Sequence, residues 1–262
     1  MNYLFRLVID CLFLYRIYKT KPKMNMKPFT ILLSSLLIAS VAIKANAQTT
    51  IVLQPGPIEG KDAFLHGLAS ESDNNFGSNA QLPADAWTFG GDAGIIRSIM
   101  EFDLSSIPAG AVINGAYLSL YSWDSSGGLG QHSTQSGSND SWVQRITSSW
   151  DELTVTWNTP PSVDVINQVA LPASTSSTQD YLDIDVSTLV QDMVDNPSTS
   201  FGFMLRLQDE TYYRRMNFAS SDLHCTLNWL LLIAIPEQQY QKESMKKAIL
   251  NYFPILTMVN LL

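Results

Sequence analysis

Arg206, Arg214 and Arg215 bring three guanidinium groups close together in a stretch that is otherwise acidic. Between Gln48 and Pro236 the other bases are Lys61, Arg97 and Arg145. A guanidinium presents its donors as a rigid fork that fits a carboxylate bidentately, which an ammonium cannot do. Such a concentration of arginine therefore points to recognition of carboxylates. If Phe201–Gln208 and Tyr213–Ala219 form a hairpin with Gln208 opposite Tyr213, then Arg206 faces Arg215, while Leu205 meets Met216 and Phe203 meets Phe218. The apolar matches favour that register. Two like charges directly opposite destabilise a pair by several tenths of a kcal/mol, on the order of other cross-strand terms. A shared anion site would offset this cost, and so would Glu101 or an Asp on a neighbouring strand, or stacking of the guanidinium groups.

Patterns that carry catalysis are scarce. The chain has no HExxH, no GxSxG, no P-loop and no CxxC. His66, His132 and His224 lie in or near loops, where an isolated histidine is ordinarily a solvated surface residue. A glycosidase pair among the acids needs a separation in space that spacing does not reveal, and the acids sit mainly in turns or alternate outward on strands. The expectation is a protein that is not an enzyme. Of Cys11 and Cys225 only the second follows position 47, so the mature chain has no internal disulfide and depends on packing.

The elements that must position these residues begin after an export signal. Met26-Lys27 precede an apolar run from Phe29 to Ile43 and the small-x-small pattern Ala45-Asn46-Ala47. This reads as a secretory signal peptide over residues 1–47, cut after Ala47. The run is shorter and richer in serine (Ser34, Ser35, Ser40) than a bilayer span of about 20 apolar residues. No stable membrane span is expected after cleavage; an anchor through residues 1–47 is the competing reading. Arg16, Lys19, Lys21 and Lys23 with the apolar Tyr3–Tyr15 make an awkward leader, so Met24 or Met26 is the expected start. Removing residues 1–47 takes away seven bases and one acid and deepens the formal charge from −8 to −14. Nucleic acid is excluded as a partner by that balance. The expected location is extracellular or on the cell surface.

From Gln48 onward short runs of period two are separated by Gly, Pro, Ser, Asn and Asp clusters, which is an all-β pattern. Ser98, Met100, Phe102 and Leu104 share one face, while Arg97, Ile99 and Glu101 leave the core side. Leu118 and Leu120 oppose Tyr117, Ser119 and Tyr121, and either row suits burial. Ser125–Ser141 lacks periodicity and reads as a surface loop of the kind that carries recognition. Trp150 and Trp157 suit core packing first and ligand platforms second. Ser187 is the expected cap of one short helix with Leu189, Val190, Met193 and Val194 on one side, stopped by Pro197. Residues 48–236 are thus expected to form one antiparallel β-sandwich, jelly-roll-like, with that helix over one end.

Longer motifs then fall into a familiar order. They are Gly60-Lys61-Asp62-Ala63, Asn75-Phe76-Gly77, Arg97 followed by Phe102 to Gly110, Ala116 to Tyr121 and Ile146 to Glu152. Thr154 to Asn158, Asp185-Val186 with Leu189-Val190-Gln191, Gly202 to Arg206 and Phe218 to Asp222 continue the series. Over roughly Thr50–Asp222 the chain resembles the DNRLRE (disaggregatase-related) domains, also grouped as carbohydrate-binding module family 96. The resemblance implies a secreted, non-catalytic β-sandwich module with members that bind acidic polysaccharides such as alginate. Carried to this chain, it selects Lys61, Arg97, Arg206, Arg215 and Asn217 as ligand-binding positions. Arg97 also suits a structural ion pair. The alternative function is a structural or adhesive cell-surface spacer without glycan binding, and a lyase or hydrolase remnant is a weaker third. No cofactor is required, although Asp-rich loops offer oxygen ligands for a structural calcium ion.

After Asp222 the chain departs from that family's pattern. Leu230 to Ile235 remains a candidate last strand, whereas Glu237–Lys247 is polar without alternation and Ile249–Leu262 is apolar with Pro254 in its path. Residues 237–262 are expected to form a mobile tail outside the sandwich.

Overall fold

The computed structural model of the protein describes residues 48–108, 110–125, 127–223 and 229–236. The segments expected as leader (1–47) and tail (237–262) lie outside the described residues, as do His224 and Cys225. In chain order the strands are β1 (Gln48–Leu53), β2 (Lys61–His66), β3 (Gln81–Phe89), β4 (Asp92–Glu101), β5 (Gly115–Leu120) and β6 (Ser141–Ile146). They continue as β7 (Val163–Leu171), β8 (Tyr181–Asp185), β9 (Phe203–Leu207), β10 (Arg214–Ala219) and β11 (Leu230–Pro236), with helix α1 at Ser187–Asp195. The smaller sheet has the order β1-β11-β5-β8 and the larger β10-β3-β4-β9-β6-β7, with β2 also paired to β4. All pairings are antiparallel, and the expected all-β sandwich is what forms.

The candidate last strand closes it. Leu231, Ile233 and Ile235 are fully buried and alternate with half-exposed Leu230, Leu232, Ala234 and Pro236, as period two requires of a strand with one covered face. β11 pairs with β1 through Ile51 opposite Ile233 and with β5 through Leu118 opposite Leu231, so it is an interior strand of its sheet. Each buried Leu or Ile stabilises it by roughly 1.5–3 kcal/mol relative to exposure. These side chains meet Leu82, Met216, Phe218, Phe203 and Leu205 of the larger sheet in the main core.

A second, smaller core lies on the other face of β4. There Ala63, Leu65, Ile99, Ile146 and Met204 are covered by Trp150 and Val155, with Trp157 packed at the margin. Both faces of β4 are therefore buried in part: Met100 enters the first core and Ile99 the second. Residues after β6 fold over this face through Trp150 and Val155, and Glu152 between them accepts from the Asp62 backbone N–H at 2.9 Å. Gly67 allows the approach, since a Cβ there would sit 2.6 Å from the Trp157 ring.

The hairpin register expected for β9 and β10 does not form. β9 lies between β4 and β6, with Arg206 opposite Trp142 and Leu205 opposite both Ser98 and Val143. β10 pairs instead with β3, setting Arg215 opposite Asp85 and Met216 opposite Ala84. The like charges are separated, and each strand gains a carboxylate for its arginine. The loop after β5 seals the other edge of β10, where Ser133 and Arg215 exchange two backbone hydrogen bonds of 2.8 and 2.9 Å. That loop is not a solvated connection, for His132 and Asn139 within it are buried, and His66 is buried as well. Ser187 is also displaced from its expected capping role. Val186 occupies the cap, while the Ser187 hydroxyl accepts from the Ala116 N–H at 2.9 Å and so ties α1 to β5. Leu189, Val190 and Met193 face inward as the periodicity predicts.

Candidate functional site

Arg97 on β4 and Arg206 on β9 meet at a single carboxylate. The Arg97 Nε and Nη2 donate to Glu210 Oε1 and Oε2 at 2.8 and 2.9 Å, a bidentate fork. Arg206 Nη2 lies 3.3 Å from the same Oε1. The two arginine side chains are 28% and 29% exposed and Glu210 is 14% exposed, so the group is reachable from solvent without being fully hydrated. Burial pulls the Arg206 guanidinium below its usual range; Glu210 opposes that and Arg97 adds to it. Each arginine also has a hold that does not involve Glu210. The Arg97 guanidinium lies over the Trp157 ring, 5.0 Å from its centroid, and Arg206 Nε donates to the Leu207 carbonyl at 3.3 Å.

The other expected positions stand apart from this pair. Lys61 faces Glu101 across the β2–β4 ladder, and its Nζ lies 2.5 Å from Glu101 Oε2 and 4.4 Å from the Trp150 ring centre. Arg215 Nε donates to Asp85 Oδ2 at 2.8 Å, with side-chain exposures of 9% and 0%. Its guanidinium stacks on Trp87, and Trp87 meets Tyr213 edge-on. Burial outweighs Arg215 and pushes the Asp85 carboxyl up to about 6. Asn217 has no exposed surface: its amide donates to the Gly130 carbonyl at 2.6 Å, and its backbone N–H donates to His132 Nδ1 at 2.8 Å. Arg214 pairs with Asp209. All six Lys and Arg side chains among the described residues are thus in ion pairs, and only Arg97 and Arg206 share one carboxylate between two cations.

Glu210 and Trp157 were not among the expected site residues. Glu210 follows Arg206 by four positions, a spacing that signals a neighbour on a helix but not at a strand end. Trp157 reads as core in the sequence, and its half-buried ring serves the core and Arg97 together.

Two depressions mark the surface elsewhere. A cleft of about 570 Å³ is lined by exposed Glu59 and Asp103, the Lys61–Glu101 pair, and buried Ile107 and Met193. Its three carboxylates against one ammonium make it a poor seat for an anionic chain. A hydroxyl-rich groove of about 340 Å³ runs between Ser133–Gln135 and Ser174–Ser177. Among the described residues no group of three or more His, Cys, Asp or Glu side chains is disposed to hold a metal ion. No helix there is long and apolar enough to cross a membrane.

Comparison with curated proteins gives no match. The sequence model of a family does match, over residues 58–232, a span that runs from the turn before β2 into the first half of β11 and so includes β2 to β10, the helix and every residue of the Arg97–Arg206–Glu210 group. On that match the chain belongs to carbohydrate-binding module family 96.

Proposed function

We propose that this chain is an exported, non-catalytic module that holds an acidic polysaccharide, such as alginate, through Arg97 and Arg206. The observation that carries the reading is the sharing of one carboxylate by two guanidinium groups. Glu210 neutralises one of the two positive charges, and the other remains in a partly desolvated place where an anion is attracted more strongly than in bulk water. Trp157 backs the Arg97 guanidinium with an aromatic face and holds it at this surface. Family membership supports carbohydrate as the ligand class. Lys61, Arg215 and Asn217 serve this reading by holding the scaffold, since each is spent on a structural partner.

Titration calorimetry of the purified chain against alginate, polygalacturonate and a neutral glucan tests the proposal. Heat is expected with the two polyuronates, weakening with added salt, and should be lost in the double variant Arg97→Ala, Arg206→Ala. Absence of binding to every polyuronate overturns it. Unsaturated uronates or new reducing ends after incubation would show an enzyme instead. A drop in melting temperature on chelation would reveal the structural calcium ion that the Asp-rich loops suggested.

A second reading, a structural or adhesive spacer, is favoured by one observation, the complete ion pairing of the described bases. It predicts that the Arg97 and Arg206 substitutions alter melting temperature while no glycan binds either form.

A further inference from the structure

We infer that Glu210 is a built-in competitor for the ligand's carboxylate, occupying the donors of Arg97 and Arg206 and keeping the module's hold on a uronate weak and reversible. The inference rests on the reading of Arg97 and Arg206 as the binding pair. Its first support is geometric. The Glu210 carboxylate takes the side-on fork of Arg97 and one donor of Arg206, which is the arrangement that a uronate carboxylate would seek in the same place. Internal and external carboxylates therefore draw on one set of N–H groups.

The second support decides between a competitor and a clamp. If Glu210 alone oriented the two guanidinium groups, its removal would scatter them and weaken binding. Each arginine, however, keeps an independent hold: Arg97 on the Trp157 face and Arg206 through Nε to the Leu207 carbonyl. Trp157 is itself fixed against the Gly67 backbone. Removing the Glu210 charge thus vacates donors that stay in place, and it raises the local charge from one net positive unit to two. The carboxylate also sits on the loop between β9 and β10, strands that do not pair with one another, so it can swing away without breaking a ladder. Neighbouring Asp209 is engaged by Thr211 and Arg214, which leaves Glu210 as the acid of that loop facing the pair.

The test compares wild type, Glu210→Gln and Arg97→Ala by calorimetry with polygalacturonate, alongside their thermal melts. The amide keeps an acceptor for Arg97 and loses the charge, and affinity is expected to rise about threefold or more, whereas Arg97→Ala loses binding. Binding by Glu210→Gln alone, with none detectable for the wild type, overturns the inference, because the wild-type module would then have no reversible hold for Glu210 to weaken. Equal or weaker binding by a normally melting Glu210→Gln, with wild-type binding intact, overturns the competitor and leaves the arginine reading standing. Failure of both forms to bind overturns both. If Glu210→Gln does not fold, NMR of the wild type replaces it. Polygalacturonate should then shift the Nε–H resonances of Arg97 and Arg206 together with the Glu210 carboxyl carbon, and an unmoved Glu210 carbon beside shifted arginines overturns the inference.

Discussion

The indole N–H of Trp229 donates to Oδ2 of Asp62 at 3.0 Å, and neither side chain has any exposed surface. The same oxygen accepts from the Ser221 N–H at 2.9 Å and from its hydroxyl at 2.6 Å. One carboxylate on β2, in the larger sheet, thereby fixes the residue that leads into β11, the strand that closes the smaller one. Burial raises the Asp62 carboxyl against these three donors, so the bonds offset a real desolvation cost. Trp229→Phe should keep most of the ring packing against Phe102 and lose the hydrogen bond. The expected loss of stability is about 1–3 kcal/mol, read from urea unfolding, with the fold retained.

Arg215 and Arg206 should behave as different kinds of residue. Arg215→Ala leaves Asp85 buried with its charge uncompensated, and about 3–5 kcal/mol of destabilisation is expected. Arg206→Ala removes a partly exposed cation from a carboxylate that Arg97 still holds, which should cost less than about 1 kcal/mol. Polyuronate binding should fall in Arg206→Ala. Equal destabilisation by both changes would show that Arg206 is structural.

Asp85 also sets a pH dependence. Its carboxyl is raised from the ordinary 3.8 to about 6. Between those limits the native state binds a proton that the unfolded chain has released, so this group's contribution falls as pH rises from about 4 to about 6. Asp85→Asn removes that dependence. Comparison of the two proteins by chemical denaturation should show wild type losing ground to the variant over this window, by no more than about 3 kcal/mol, and the difference should be flat above it.

His66 works in the opposite sense. Its ring packs among Phe64, Phe76 and Phe89, its Nε2 has no partner, and burial lowers its proton affinity below the ordinary 6.5, with Glu71 opposing. Below about 6.5 the unfolded chain takes up a proton that the native state resists, so stability is lost as pH falls. His66→Phe should flatten part of the decline below about pH 6.5, read by chemical denaturation. His132, also lowered by burial, adds a contribution of the same sign as His66, against that of Asp85.

Gly67 links the second core to the proposed site. A Cβ at this position meets three ring atoms of Trp157 within 2.9 Å. Gly67→Ala should therefore push the indole outward, take Arg97 with it and weaken polyuronate binding, at a stability cost of about 1–3 kcal/mol. Unchanged affinity in this variant would separate Trp157 from the binding pair.

Alternation along the chain was enough to mark the strands, because a one-sided strand must bury every second residue; Ser98 and Met100 went where period two put them, while packing chose the Leu118–Leu120 row over its opposite and the buried row of β11. Helix α1 was legible for the same reason at a different period. Motif order carried the family, since it sums over many short matches rather than one. What alternation does not carry is the identity of the neighbouring strand. β9 and β10 follow one another in sequence, yet each sits between strands from elsewhere, so the facing of Arg206 and Arg215 dissolved in favour of Glu210 and Asp85. The Ser125–Ser141 segment lacks periodicity because it seals the edge of β10 with backbone and side-chain hydrogen bonds, which impose no hydrophobic repeat, and that is why His132 and Asn139 were unreadable as buried. Residue types and spacing thus determined which side chains could bind a carboxylate. Only the tertiary pairing decided which of them were already bound to one, because a buried or half-buried cation takes its counter-charge from whatever strand the packing brings alongside.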